Sequence, residues 1–353
     1  MKNLSLLIHG AQDGHCLENV RQKLNSTAIE FGTIVIVSYV KDLNQYSDTI
    51  KNIFDGLNYR IVPVKDMINP GFANINRHVS QVNAGLVDLP RDSFVIKLRN
   101  DQNVDFDKLF GCIEKYELFR EASDRKILTT NCYTRRDRYY HPSDMFMAAP
   151  HEVMCEYFDY PLMAETEIMK KMQVAEMFAD DPTMTFNPIA PESELFRNFL
   201  KKNCWNMLET EDDSYSALKK FVYVLNSWDI ELRWNKARNY PFTKINEIIL
   251  PHFFTMAPFP GAPVEKHSCY MRDEIIGGTC NKLDKKYIYM AMSASISINM
   301  QGESKSIRSI RYKKRLLGFF RAILSPFGKT YLYFDKKYKK TIERIQNIER
   351  NEK

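Results

Sequence analysis

Apolar residues in the first hundred positions form short unbroken runs separated by stretches of helical periodicity. The runs at 4–9 (LSLLIH), 33–38 (TIVIVS), 59–64 (YRIVPV) and 94–98 (FVIKL) have the length and composition of strands, and the first is expected to be buried on both faces. Over 74–89, apolar side chains recur every three or four positions, which predicts one face of a helix. This alternation predicts an α/β fold with a mostly parallel central sheet and covering helices.

Further elements are predicted after this repeat. Helices are expected to begin at Phe106 and at Pro191, each with residues suited to a first turn. Residues 126–131 (KILTTN) have the pattern of a strand, whereas residues 214–226 repeat apolar positions as a helix does. The proline-rich stretch at 251–263 predicts a loop.

Charge divides the chain into two parts. The net charge over 353 residues is +6, but residues 305–353 carry 15 basic and 4 acidic side chains, and residues 1–304 carry 35 basic and 40 acidic ones. A hydrophobic fraction of 44% and a charged fraction of 27% are typical of globular proteins and exclude a disordered chain. We therefore expect a slightly acidic globular body, 1–304, and a basic tail, 305–353.

The tail has the composition of an amphipathic interfacial helix, because residues 313–329 place apolar side chains on one helical face and basic ones off it. It could dock on an anionic membrane surface or pack on the body. Nucleic-acid binding is disfavoured because no recognition module accompanies the charge. The first ten residues lack a signal-peptide pattern and no apolar run is long enough for a membrane span, so we expect a cytoplasmic protein.

Polar side chains follow the predicted strands, where ligands bind in open parallel sheets. They are Asp13, Ser38, Asp42, Arg99 and Asp101. Glycine-rich phosphate-binding motifs are absent from the sequence, so a phosphate here would need side chains or a metal ion. Asp101 offers the hard oxygen ligands that Mg²⁺ or Mn²⁺ prefers when it bridges a diphosphate. Asp105 and Asp107 are better explained as caps of the helix that begins at Phe106.

A second polar cluster lies at 134–143 (TRRDRYYHPS), directly before Asp144. Its arginines could bind a phosphate or a sugar acid, Tyr140 and its neighbour could stack on a sugar, and His141 or Asp144 could move a proton. The alternative is an exposed charged hairpin without a ligand. The arginines are Arg135, Arg136 and Arg138.

Three segments resemble the WavE family of lipopolysaccharide-synthesis proteins, namely 95–104 (VIKLRNDQNV), 128–150 and 190–200 (APESELFRNFL). The family pattern has a strand ending in Arg-x-Asp, an Asn strand, a His-x-Ser-Asp and a Pro-Glu that opens a helix. These occur here in the same order as Arg99 with Asp101, Asn131, His141 with Asp144, and Pro191 with Glu192. The resemblance covers about residues 1–250 and implies a GT-A-like fold that uses nucleotide-diphospho-sugars.

The resemblance implies roles for the predicted donor site. Asp101 would hold the metal ion and the donor ribose, Arg99 would lie beside the diphosphate, and Arg77 would face the diphosphate or remain a surface residue. Arg99 replaces the first aspartate of a standard Asp-x-Asp motif, so this arginine could balance the diphosphate charge in place of a metal. The nucleotide pocket would be lined by Asp13, Ser38 and Asp42.

The acceptor site also follows from the resemblance. Residues 1–110 would form the nucleotide-sugar-binding half of the body and residues 111–304 the acceptor-side half, with Asn131 and the 134–143 cluster on the acceptor side. A transfer that inverts configuration needs a base, usually a carboxylate, and the candidates are Asp144, Glu192 and the pair Glu165 and Glu167. Glu165 and Glu167 are better explained as residues of a surface helix. A glutamate in the first helical turn also occurs merely because it complements the helix dipole.

The favoured function is therefore a glycosyltransferase that acts on a lipid-linked saccharide in lipopolysaccharide or capsule synthesis, peripheral on the inner face of the cytoplasmic membrane. One alternative is a nucleotidyl- or glycosyl-phosphate transferase on the same fold, which would need a metal clamp with a second carboxylate near Asp101. Another is a non-catalytic glycan-binding or scaffold protein of surface-polysaccharide assembly.

Overall fold

The structure is a computed structural model that describes residues 3–11, 14–121, 123–136, 138–169, 190–234, 244–245, 248–251 and 269–298. Asp13, the proline-rich stretch from residue 252 onward and the basic tail lie outside the described residues. Within the described part, no helix is both long and apolar enough to cross a membrane.

The described chain contains eleven strands in two sheets. They are β1 (Leu4–His9), β2 (Thr33–Tyr39), β3 (Tyr59–Val64), β4 (Phe94–Arg99), β5 (Gln102–Asn103), β6 (Ile127–Thr130), β7 (Phe146–Pro150), β8 (Val222–Leu225), β9 (Arg233–Trp234), β10 (Lys244–Ile245) and β11 (Ile248–Ile249). The central sheet has the order β3-β2-β1-β4-β7-β6-β8, and a small sheet has the order β10-β11-β9-β5. In the central sheet, β7 runs antiparallel to its neighbours β4 and β6, and the other pairings are parallel.

Helices cover both faces of the central sheet. They are α1 (Gly14–Ser26), α2 (Val40–Phe54), α3 (Ile75–Val87), α4 (Phe106–Lys115), α5 (His151–Phe158), α6 (Pro191–Lys202), α7 (Glu211–Phe221), α8 (Arg272–Ile275) and α9 (Lys282–Ile298). Because side chains alternate along a strand, Leu7 packs with α3, α5, α6 and α7, whereas Leu6 and Ile8 pack with α1, α2 and α4. The expected α/β fold class, with a mostly parallel central sheet and covering helices, is confirmed.

Two predicted elements show where the sequence pattern was right and where it was wrong. Helix α4 begins at Phe106, and Asp105 caps it by accepting a hydrogen bond from the backbone N–H of Lys108. The helix predicted over 214–226 ends at Phe221, and the next four residues form strand β8. Val222 and Val224 are β-branched, and parallel pairing with β6 outweighs the continuation of the helical pattern.

The chain after residue 268 is attached to the carboxyl end of β8 by a buried ion network. Arg272 binds Asp229 through Nη1 and Asp284 through Nη2, at distances of 2.6 and 2.9 Å. The indole of Trp228 also donates to Asp284. Because every charge in this network has an opposite partner, the network is compatible with burial.

Candidate active site

The site is formed where the carboxyl end of β4 meets the start of β7. Leu98 pairs with Phe146 in the antiparallel register, and His9 at the end of β1 pairs with Arg99. The segment after β4 and the segment before β7 therefore lie at the same edge of the sheet. This is the edge at which ligands bind in open α/β sheets.

Arg99 and Asp101 form one fixed unit at this edge. Arg99 donates to both carboxylate oxygens of Asp101, from Nε at 3.2 Å and from Nη2 at 2.9 Å. The indole of Trp234 donates to the same carboxylate at 2.9 Å, because β5 pairs with β9 and brings Trp234 beside the β4–β5 turn. The Asp101 side chain is 2% exposed, whereas that of Arg99 is 40% exposed and faces solvent in part.

The donor set around Asp101 does not fit a metal ion. Its two oxygens accept three N–H groups, and a guanidinium cation lies against them. A divalent ion would have to displace these donors and lie beside a positive charge. Across the described ranges, no group of three His, Cys, Asp or Glu side chains is arranged to hold a metal. The residues present instead offer the cationic side chain of Arg99 to an anionic ligand.

Asp144 is held as a buried anion. His78 of α3 lies 3.1 Å from Asp144 through Nδ1, and the ammonium group of Lys97 in β4 donates to the main-chain carbonyl of Asp144. Burial alone would raise the pKa of Asp144, but the hydrogen bond from His78 and the positive charges of Lys97 and Arg99 lower it well below its usual range. Asp144 is therefore ionised at neutral pH.

Glu192 is the second carboxylate of the site and has the opposite environment. Burial and the nearby negative charge of Asp144 raise the pKa of Glu192 to about 7. Its carboxylate lies 3.5 Å from Nε2 of His141, at the outer limit of a hydrogen bond. Ser193 donates to the main-chain carbonyl of Tyr139, which holds the start of α6 against the 134–143 segment. Glu192 can therefore gain or lose a proton near neutral pH.

His141 is a neutral imidazole beside Glu192. Burial, together with the positive charges of Arg138 and Arg135, lowers the pKa of His141 to about 3. The same two arginines oppose the rise in the pKa of Glu192. The 134–143 segment is thus not an exposed hairpin at this point, because His141 and Tyr140 are buried and Arg135 pairs with His141 through the main chain.

Three other predicted site residues have internal partners. Arg136 pairs with Glu274 and lies over the ring of Tyr270. Tyr140 is fully buried and donates its hydroxyl to Asp213. Asn131 is also fully buried, accepts from the backbone N–H of Ser227 and donates to the side chain of Asn226. These contacts join the site to α7, α8 and the end of β8.

Two residues predicted to line the nucleotide pocket, Ser38 and Asp42, lie at the end of β2 and just after it, and Arg77, predicted to face the diphosphate, lies in α3. Ser38 is buried near the end of β2, and Asp42 lies in the first turn of α2. Arg77 of α3 donates to Asp66 at 2.8 Å and to Asn74 at 3.1 Å. They are therefore at the same edge of the sheet as Arg99.

Lys97, His78 and Tyr157 were missed from the sequence, and His9 was noted only as a polar residue at the end of the first strand. Lys97 and His9 lie in predicted strands, and His78 and Tyr157 lie in helices. Tyr157 is fully buried near Asp144 and Glu192, and these surroundings raise its pKa well above the usual value. One signal was available: the lysine in the run FVIKL is a charged residue within an otherwise apolar strand.

No family model and no curated protein matches this chain. The resemblance to the WavE family is therefore not confirmed. Among solved structures, 4-diphosphocytidyl-2C-methyl-D-erythritol synthase from Anaerococcus prevotii is 13% identical over 51% of this chain and 84% of that chain, with a TM-score of 0.31.

Two glycosyltransferase structures are similar to a comparable degree. The glycosyltransferase GlyE of Streptococcus pneumoniae is 12% identical over 59% of this chain, which spans 46% of the GlyE chain, with a TM-score of 0.32. Mouse xyloside xylosyltransferase 1 is 10% identical over 63% of this chain and 84% of that chain, with a TM-score of 0.29. Likenesses this low carry no argument about activity, so the function is argued from the site itself.

Proposed function

We propose that this protein is a glycosyltransferase that moves a sugar from a nucleotide-diphospho-sugar to a hydroxyl group of a saccharide acceptor. The observation that supports this proposal is the pair of carboxylates at the carboxyl edge of the sheet. Asp144 is a fixed anion, and Glu192 has a pKa of about 7. Pairs of titratable groups with separated pKa values are typical of acid–base catalysis.

In this proposal Glu192 is the base. It takes the proton of the acceptor hydroxyl while that oxygen forms a bond to the anomeric carbon of the sugar. The bond from this carbon to the diphosphate breaks, and the nucleoside diphosphate leaves with the bonding electrons. One displacement of this kind inverts the anomeric configuration. The partly exposed guanidinium of Arg99, held by Asp101, balances the charge of the leaving diphosphate.

The alternative of a metal-clamped nucleotidyl or glycosyl-phosphate transfer is less well supported. It needs a second carboxylate beside Asp101, but Asp105 caps α4 and pairs with Lys23, and Asp107 accepts a hydrogen bond from Thr27. A non-catalytic glycan-binding protein has no need of a glutamate whose pKa is near 7.

The pathway and the acceptor are proposed on the sequence resemblance alone. By that resemblance the acceptor is a lipid-linked saccharide of lipopolysaccharide or capsule synthesis, and the protein works at the inner face of the cytoplasmic membrane. The basic tail would provide the membrane contact.

The test begins with donor binding. Nucleotide sugars and nucleotides are screened by thermal unfolding, with and without Mn²⁺, because a bound ligand stabilises the folded protein. We expect at least one nucleotide sugar to raise the melting temperature, with no requirement for Mn²⁺. If no nucleotide or nucleotide sugar raises the melting temperature, the proposal is wrong.

The test of mechanism compares two glutamates of the same helical turn. We expect Glu192→Gln to lower kcat for transfer by about 100-fold or more while it keeps donor binding, since glutamine cannot accept the proton. Glu194→Gln is the matched control, because Glu194 is not part of the carboxylate pair. Its carboxylate instead accepts a hydrogen bond from the hydroxyl of Tyr160 at 3.4 Å. A Glu192→Gln protein with the kcat of Glu194→Gln would exclude Glu192 as the base.

A further inference from the structure

Lys97 lies in the middle of the central sheet with no solvent exposure. It is one residue of β4, between the buried side chains of Ile96 and Leu98. Removing an ammonium group from water carries a large free-energy cost unless opposite charges and hydrogen bonds compensate it. An apolar residue of similar volume would avoid that cost. The presence of lysine therefore calls for an explanation beyond packing.

The contacts of Lys97 converge on Asp144. Its ammonium group donates to the main-chain carbonyl of Asp144 and lies 5.6 Å from the centre of the Phe158 ring. The carboxylate of Asp144 is held separately by His78 at 3.1 Å. His78 in turn stacks on His9, with 4.9 Å between ring centres, and meets Phe158 edge-on. Asp144 is thus fixed through both its main chain and its side chain.

Lys97 is also a buried cation whose charge acts on both carboxylates. The groups with which it interacts electrostatically come from every packed element: Arg99 of β4, His9 of β1, His78 of α3, Asp144 before β7 and Glu192 of α6. Both histidines have lowered pKa values because of burial and then the charge of Lys97, so they are neutral. The two carboxylates would repel each other more strongly without the ammonium group.

We propose that Lys97 is a positioning residue of the active site: it fixes the main chain at Asp144 and supplies the buried positive charge that keeps Asp144 ionised beside Glu192. This inference rests on the proposed function for its catalytic consequence, but the pairing of Lys97 with Asp144 is independent of substrate. Lys97 touches no reacting atom in this arrangement. It acts through the position and charge of the two carboxylates.

The substrate-independent test is a double-mutant cycle on the full chain, measured by chemical denaturation at pH 7. Asp144→Asn should lower the folding equilibrium constant both in the wild type and in a Lys97→Met background. We expect the loss to be about tenfold smaller in the Lys97→Met background, because the charge of Lys97 is already gone there. Lys126→Met is the matched control, since Lys126 also donates to a main-chain carbonyl and lies over an aromatic ring, but before β6 at the opposite edge of the sheet. It should show no coupling to Asp144.

If Lys97→Met does not fold, the cycle is measured with Lys97→Gln, which also removes the charge of Lys97. Absence of coupling in the folded Lys97 variant, or equal coupling for Lys126, overturns the inference whether or not the protein transfers a sugar.

The second readout is the pH profile of kcat/KM for transfer. Loss of the Lys97 charge removes a cation that favours the ionised form of Glu192, so the acid limb of Lys97→Met should move upward by about one pH unit. Lys97→Arg should return the acid limb to its wild-type pH, and Lys126→Met should keep the wild-type profile. A wild-type profile in Lys97→Met overturns the positioning role. Coupling without any transferase activity in the wild type would instead overturn the proposed function and leave the charge pairing intact.

Discussion

At the scale of single residues, the site depends on two carboxylates of the same chemical type in different surroundings. Asp144 accepts a hydrogen bond from His78 and faces two cations, whereas Glu192 is partly buried beside the negative charge of Asp144. The first environment favours the ionised form and the second favours the protonated form. The position of each carboxylate in the fold, and not its residue type, therefore decides which of the two is protonated.

This assignment predicts how stability depends on pH. The pKa of Glu192 is raised from 4.5 to about 7 in the folded protein, so between these values the folded state holds a proton that the unfolded state has lost. The stabilisation is present below pH 4.5 and is lost as pH rises toward 7. Between pH 4.5 and 7 we expect the free energy of unfolding of the wild type to fall by on the order of 2 kcal/mol relative to that of Glu192→Gln.

Chemical denaturation at several pH values between 4.5 and 8 measures this difference. Glu194→Gln provides the control, since its stability should follow that of the wild type across the range. Parallel curves for the wild type and Glu192→Gln would show that Glu192 does not hold the proton.

The sequence identified the two carboxylates but not the residues that control their protons. Asp144 could be named because it directly follows the polar cluster at 134–143, and Glu192 because it lies in the first turn of a predicted helix. Lys97 lies 47 positions before Asp144, and their contact depends on the antiparallel register of β4 and β7. A pattern of apolar and polar positions contains no information about that register, so neither Lys97 nor His78 could be assigned to the site.

At the scale of elements, the local sequence pattern predicts some strands, whereas others depend on pairing with distant parts of the chain. The bounds of β1 and β3 are those predicted, because both are short apolar runs bounded by polar residues. Strand β8 was wrongly predicted as helix, because its pairing with β6 is a contact across more than ninety positions. The direction of β7 was likewise not predictable, although it places Asp144 beside the end of β4.

The packing of α3 on the sheet gives a prediction at this scale. A Cβ atom at Gly85 would lie 2.3 Å from Leu7 Cδ1 and 2.7 Å from Val37 Cγ2, and both neighbours are fully buried. We expect Gly85→Ala to destabilise the protein by about 1–3 kcal/mol through overpacking, despite the higher helix propensity of alanine.

Gly111 of α4 is the matched control, because a Cβ atom there meets no atom within 4 Å. Gly111→Ala should raise the free energy of unfolding by up to about 1 kcal/mol. Denaturation midpoints of the two variants measure both effects. Equal stabilisation by the two substitutions would contradict the close approach of α3 to β1 and β2.

At the scale of the whole molecule, positive and negative charges are separated along the chain. A net charge of +6 is compatible with nucleic-acid binding, but residues 1–304 are slightly acidic and the excess of positive charge lies in residues 305–353. In the body, the cations of the site are matched by Asp101 and by the carboxylate pair. The sequence thus places the excess of positive charge in the tail, where we expect it to act on an external anionic surface.

The tail therefore predicts binding to anionic membranes. A basic residue near such a surface contributes about 1 kcal/mol, so replacing Lys336, Lys337, Lys339 and Lys340 by glutamate in the full chain should weaken binding to phosphatidylglycerol vesicles by at least about 100-fold. Cosedimentation at two salt concentrations measures this, because screening should weaken the wild-type binding as well. The control carries glutamate at four exposed lysines of the body, Lys51, Lys65, Lys282 and Lys285, which gives the same change in net charge. Equal losses in both variants would mean that net charge, and not the tail, governs the binding, and a wild type that ignores anionic vesicles would exclude the membrane role.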